Sequence, residues 1–124
     1  MRLIRRVVPL ACAGLLAGLP AALAAEPAPR PAAFSACLAC HTTEPARNTF
    51  GPSLFGVAGR KAASLPNYTY SKALQASGIT WDAASLDQWL TSPQKKVPGT
   101  KMPFPGIPDA ARRKQVVDYL LTLQ

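Results

Sequence analysis

Residues 36–43 read ACLACHTT: Cys37 and Cys40 stand three positions apart, and His41, the chain's single histidine, directly follows the second. Only one further cysteine, Cys12, occurs, and it lies in an N-terminal apolar run. What a CxxCH can do depends on the compartment the chain reaches and on which other residues are left to help it.

The N-terminus points to export. Residues 1–6 (MRLIRR) supply a positive n-region, residues 7–23 are almost uninterruptedly apolar, and residues 22–24 (ALA) form an AxA-type cleavage site. Pro9, Gly14, Gly18 and Pro20 break the run, which suits a removable leader better than a bilayer span of ~20 apolar residues. Arg5 and Arg6 are read as an ordinary n-region rather than a twin-arginine signal, and Cys12 as discarded with the leader rather than lipidated. The expected organisation is a cleaved signal peptide at 1–24 and one domain at 25–124, delivered to a bacterial periplasm with no stable membrane insertion. Within 25–124 eleven basic residues face six acidic ones, a net of +5. Such an excess keeps a surface soluble and steers acidic partners. The basic residues are scattered among prolines, with no nucleic-acid reading motif, so no nucleic-acid partner is expected.

After cleavage Cys37 and Cys40 are the only thiols. A disulfide closing so small a ring contributes little, because the entropic gain shrinks with loop length. A thioredoxin-like pair needs a βαβ setting, whereas the upstream residues 27–33 read PAPRPAA. Zinc needs four ligands, and Cys37, Cys40 and His41 offer three with no further Cys or His to complete them. Covalent haem attachment is favoured. Two thiols three positions apart on a helical turn reach the two vinyl groups of one porphyrin edge, and the next residue turns its imidazole to the iron. A flat apolar cofactor would also give a short, proline-rich chain something to pack around, so the apoprotein is expected to be poorly folded.

The rest of the chain reads as all-α. Residues 32–40 can form a short helix ending at the attachment site, and 43–69 read as loop, punctuated by Gly51-Pro52, Gly56, Gly59 and Pro66. Residues 71–77 read as a helix with Ser71 as N-cap and Gly78 as its stop. A further helix begins near Asp82, carries Leu86, Trp89 and Leu90 on one side, and ends before Pro93. After a loop containing Pro98, Pro103, Pro105 and Pro108, Asp109 caps a last helix with Val116, Val117, Leu120, Leu121 and Leu123 as its apolar stripe. Arg112, Arg113 and Lys114 near its start are read as a solvated basic cluster.

Met102 is the one methionine left after cleavage and sits in a loop, VPGTKMPFPG at 97–106, where a gap-filling core methionine would be out of place. It is the candidate for the iron's sixth position. A His/Met pair raises the potential and closes both faces to substrates, so the expected activity is single-electron transfer and not catalysis.

Five ordered stretches carry a resemblance: CLACH at 37–41, GPSLFGVAGR at 51–60, YTYSKAL at 68–74, GITW at 78–81 and PGTKMPFPG at 98–106. Together they resemble the class I soluble cytochromes c, over about residues 34–123. The resemblance implies a small single-domain cytochrome c fold of three to five helices and loops wrapped around one covalent haem c. It implies thioethers from Cys37 and Cys40, axial bonds from His41 and Met102, and a hydrogen bond from His41 to the Pro52 carbonyl. It implies further that Arg60, Tyr70, Trp81 and Thr100 hold or shield the haem propionates, and that Leu54, Val57, Leu86, Leu90, Val97 and Phe104 line the apolar pocket.

Three departures stand out. Trp89 replaces a tyrosine that in many relatives bonds the methionine sulfur, and Leu74 replaces a polar residue of an internal water network. The segment before Cys37 lacks an early glycine, which implies looser packing of the first helix on Tyr119 and Leu120. The expected role is a monomeric one-electron carrier. Lys61, Lys72, Lys95, Lys96 and Lys101 would surround the haem edge and dock acidic redox proteins: a cytochrome bc complex, terminal oxidase, reductase, dehydrogenase or reaction centre. The alternative is a subunit held permanently by a periplasmic dehydrogenase.

Overall fold

The computed structural model describes residues 25–124, and the expected leader at 1–24, with Cys12 and the cleavage site, lies outside the described residues. It contains a 3-10 helix at Ala32–Ala39 and four α-helices: α1 (Lys72–Ala76), α2 (Ala83–Thr91), α3 (Pro93–Lys96) and α4 (Ala110–Leu120). Among the described residues there is no strand, only one isolated antiparallel bridge between Lys61 and Thr80.

Each α-helix starts at a side chain that satisfies an orphan backbone N–H. Ser71 accepts from Leu74 N–H at 3.1 Å, and Asp109 from Arg112 N–H at 2.7 Å. At α2, Asp82 accepts from Ser85 N–H at 2.7 Å while the Ser85 hydroxyl takes the Asp82 N–H at 2.8 Å, a closed capping box. Gly78, at φ +65°, stops α1 as expected, since a left-handed exit costs glycine little.

Pro93 does end α2, but no loop follows directly. Ser92 caps α3, and Pro93 is its first residue, where a missing N–H and a fixed φ are harmless. The first helix also winds more tightly than an α-helix. At its end the N–H groups of Cys40 and His41 both bond to the Cys37 carbonyl, at 3.2 and 2.9 Å, which brings both cysteines and His41 onto one turn.

The 3-10 helix packs on α4, and α4 on α2. Phe34 and Val116 are wholly buried at this junction, and the Phe34 ring meets Tyr119 edge to face at 4.8 Å. The packing expected to be loose is therefore tight, because Phe34 fills the space and Ala28 N–H bonds the Thr122 hydroxyl at 3.0 Å. Arg113 is not merely solvated either. Its Nε donates to Asp87 on α2 at 2.6 Å and its Nη1 to the Ile107 carbonyl at 2.9 Å, so it ties α2, α4 and the loop between them. Lys114 pairs with Asp118 one turn on, at 2.5 Å.

The segment between the 3-10 helix and α1 has no helix, and is held by bonds to distant residues. Gly51 N–H reaches the Cys40 carbonyl at 2.7 Å, Gly56 N–H the Leu123 carbonyl at 2.6 Å, and Gly59 N–H the Trp81 carbonyl at 2.7 Å. Gly106 is needed for close approach: with φ +111°, any Cβ there would collide with the Thr91 carbonyl, while Ile107 N–H bonds the Leu90 carbonyl at 2.7 Å.

Candidate haem site

These elements enclose a cavity of about 650 Å³ whose walls are mainly apolar. The turn that ends the 3-10 helix supplies Cys37, Cys40 and His41 to one side of it. Burial pushes the Cys37 thiol above its ordinary pKa, so it lacks the electropositive, thiolate-favouring setting of a redox-active cysteine. His41 Nδ1–H donates a hydrogen bond to the Pro52 carbonyl at 2.7 Å, which leaves Nε2 as the nitrogen free to ligate. Burial also lowers the imidazole pKa, opposed by that bond, and a neutral ring is the form that binds metal.

The loop after α3 brings Met102 to the same cavity. Gln94 Nε2 donates to the Thr100 carbonyl at 2.7 Å, and Thr100 N–H to the Val97 carbonyl at 3.1 Å, while the Lys101 ammonium bonds the Thr69 carbonyl. The loop, which has no secondary structure, is thus tied just ahead of its methionine, and beyond it by the Ile107 N–H on the Leu90 carbonyl.

Arg60, Tyr70, Trp81 and Thr100, the polar positions singled out by the resemblance, all border the cavity. Arg60 donates to the Phe55 and Ser53 carbonyls at 3.0 and 2.9 Å, which fixes its guanidinium and leaves donors over. Burial lowers the Arg60 pKa and raises that of Tyr70. The apolar positions Leu54, Val57, Leu86, Leu90 and Phe104 line the walls. Val97 does not. It is a buried core residue that ends α3 as its C-cap, with its N–H on the Pro93 carbonyl at 2.9 Å, and it borders a smaller cleft with Ala73, Ile79 and Pro98.

Trp89 and Leu74 both border the cavity, and the Trp89 ring meets Trp81 edge to face at 5.3 Å. The sequence reading placed Lys101 at the haem edge, and it borders the cavity, but missed Gly51, Phe50 and Tyr68 as cavity residues. Gly51 was marked only as punctuation beside Pro52, yet a Cβ there would stand 2.5 Å from His41 Cε1. Phe50, Tyr68 and Lys101 form the rim. No periodicity marks them, since they come from separate loops.

Haem fits this donor set: an apolar slot, two thiols and an imidazole on one turn, a thioether in the same cavity, and cationic and hydroxyl groups for its carboxylates. A search of protein-family models gives no match. Known proteins do match. The chain is 52% identical over 88 residues to cytochrome c2 of Rhodoblastus acidophilus, covering 70% of this chain and 82% of that one. It is 44% identical over 101 residues to cytochrome c-554 of Methylosinus trichosporium, covering 81% and 76%. Cytochrome cH from Methylobacterium extorquens superposes with a TM-score of 0.67 at 52% identity, over 71% of this chain and 89% of the other. The chain belongs to the class I c-type cytochromes.

Membership accounts for the cavity: a c-type cytochrome of this class takes one covalently attached haem c, and the cytochrome c fold packs its helices and loops around it. The family is one of electron carriers rather than enzymes. For this cytochrome the site therefore has to hold one group rigidly and keep water from it, without admitting a substrate.

Proposed function

We propose that this cytochrome is a mobile one-electron carrier whose haem is fixed by thioethers from Cys37 and Cys40 and ligated by His41 Nε2 and Met102 Sδ. The carrying observation is that Pro52 engages His41 Nδ1 at 2.7 Å on the wall of a cavity that Met102 also lines. Bound haem supplies an iron that alternates between ferric and ferrous states by one electron. The chain's own residues do the rest. The Pro52 carbonyl holds the imidazole proton and sets the ring's orientation, which raises its basicity as a donor. Met102 Sδ would be the second ligand to the iron, and the bonds at Thr100 and Lys101 hold its loop.

Arg60, Tyr70, Trp81 and Thr100 meet the propionates, for which the spare donors of the anchored Arg60 guanidinium are suited. The apolar walls, Leu74 among them, keep the pocket dry, so little solvent must reorganise when the charge changes. Residues 1–24 act as a cleaved leader and the carrier works in the periplasm, meeting acidic redox proteins of the bc-complex, oxidase, reductase, dehydrogenase or reaction-centre kind. A freely diffusing monomer is supported by the sparse apolar surface: the large hydrophobics exposed among the described residues are Leu38 and Phe50, far short of an obligate interface.

Ferric and ferrous visible spectra of the holoprotein test this ligation. The ferric form of the native chain is expected to show the methionine-to-iron charge-transfer band in the far red, and Met102→Ala to lose it while keeping covalent haem. A native spectrum without that band overturns the Met102 assignment.

A further inference from the structure

Phe50 is 86% exposed on the rim of the haem cavity. Slack in its loop is not the reason. The Phe50 carbonyl accepts from the Tyr68 hydroxyl at 2.8 Å, and the neighbouring Thr49 bonds both the Gly51 carbonyl, through its N–H at 3.0 Å, and the Cys40 carbonyl, through its hydroxyl. The backbone is thus pinned on both sides of an exposed ring. Leaving such a ring in water forgoes the ~1.5–3 kcal/mol that burying it gives.

The surroundings say what could cover it. The Lys101 ammonium sits 4.6 Å above the Tyr68 ring, and Tyr68 meets Tyr70 edge to face at 4.8 Å, so one lysine and an aromatic cluster share the rim with Phe50. Lys61, Lys72, Lys95 and Lys101 make no salt bridge among the described residues. Five of the six acidic residues of 25–124 are committed elsewhere: Glu44 to Arg47, Asp87 to Arg113, Asp118 to Lys114, and Asp82 and Asp109 to helix caps. Glu44, the acid on the segment beside Phe50, is already neutralised.

We infer that Phe50 is the apolar anchor of the docking face, entering an apolar depression bordered by carboxylates on an acidic redox protein. The inference rests on the carrier reading above and names the contact by which the carrier is held. The lysines steer the encounter and weaken with salt. The Phe50 contact sets how long the complex lasts, independently of salt, as buried aromatic anchors do. A second copy of this chain is disfavoured as the occupant, because each brings a net +5 over residues 25–124.

The test is reduction of the ferric holoprotein by a purified bacterial cytochrome bc complex in detergent, across an ionic-strength series. The native chain is compared with Phe50→Ser, Phe50→Leu and Lys72→Gln. Visible spectrum and melting temperature of each variant are recorded first, to separate docking from haem loading. Phe50→Ser is expected to raise KM roughly tenfold at every ionic strength with kcat unchanged. Phe50→Leu should recover most of the loss. Lys72→Gln should flatten the salt dependence and act little at high salt.

A Phe50→Ser KM equal to native at all salt concentrations overturns the anchor while leaving the carrier intact. A native chain that accepts no electrons from the complex overturns the carrier reading and the anchor with it. Two further results also overturn it: sedimentation showing a native dimer that Phe50→Ser dissolves, which would give the ring to a second copy, or native binding to phosphatidylglycerol vesicles that Phe50→Ser abolishes, which would give it to a membrane.

Discussion

The His41 imidazole lies in the notch that Gly51 leaves by having no side chain: a Cβ on Gly51 would stand 2.5 Å from His41 Cε1 and 2.7 Å from Nδ1. The requirement is space, not backbone freedom. Gly51→Ala is therefore expected to push the ring off the Pro52 carbonyl, with an overpacking cost of about 1–3 kcal/mol. Urea unfolding of the holoprotein gives the cost, and its visible spectrum should show disturbed axial ligation. A variant spectrally identical to native would mean that the ring has room to spare.

Removing haem should unmake the domain. A cavity of about 650 Å³ walled by apolar side chains cannot stay dry and open on a chain of this size. Cys37→Ala with Cys40→Ala, purified without haem, should show greatly reduced helical circular dichroism and no cooperative melt. A sharp thermal transition close to that of the holoprotein would contradict this.

Arg113 and Asp87 should be unequal partners. The Arg113 side chain is 12% exposed and also serves the Ile107 carbonyl, whereas Asp87 is 47% exposed. Arg113→Met strands a buried carbonyl and is expected to cost about 1–3 kcal/mol. Asp87→Asn leaves Arg113 its carbonyl bonds and should cost about 1 kcal/mol or less. Equal losses in chemical denaturation would refute the asymmetry.

Asp82 gives the fold a pH dependence of known sign. The Ser85 N–H and hydroxyl hold its carboxyl below the ordinary range. A depressed folded-state pKa contributes stability above the unfolded value of ~3.9, lost as pH falls through the folded value. Asp82→Asn keeps the capping oxygen and removes the charge, so its melting temperature should lie below that of the native chain at neutral pH. The gap should close in acid. A gap that stays constant down to the acid limb would assign the benefit to the oxygen alone.

Phe34 is expected to be the costliest single truncation in the core. It is wholly buried between the 3-10 helix and α4, edge-on to Tyr119. Phe34→Ala should lower holoprotein stability by about 3–5 kcal/mol, read by denaturant titration at constant haem content.

The helix signals were legible because they are local. Ser71, Asp82 and Asp109 each cap a helix whose first turn lies within three residues, and Gly78 ends one in the same way. The residues brought to one cavity were legible from motif spacing and resemblance, and Cys37, Cys40, His41, Pro52 and Met102 all line it. What was not legible depends on the third dimension. Val97 is apolar and adjacent to a matching motif, yet as the C-cap of the short helix α3 it borders a different cleft. Arg113 looked like a surface charge because Asp87, its partner, is 26 positions upstream. Gly51 looked like a turn because only the folded ring of His41 shows what its missing side chain makes room for.

The bond from Ala28 N–H to the Thr122 hydroxyl has a consequence for chain connectivity. It joins two segments 94 positions apart, so the path from Ala28 to Thr122 is almost a closed ring. A peptide of a few residues could complete that ring, and the chain could be cut afresh at Pro66 or Asn67, both exposed and outside any helix. Such a circular permutant would place CLACH after PGTKMPFPG in translation order, so the methionine loop would emerge from the ribosome before the cysteines that anchor the cofactor.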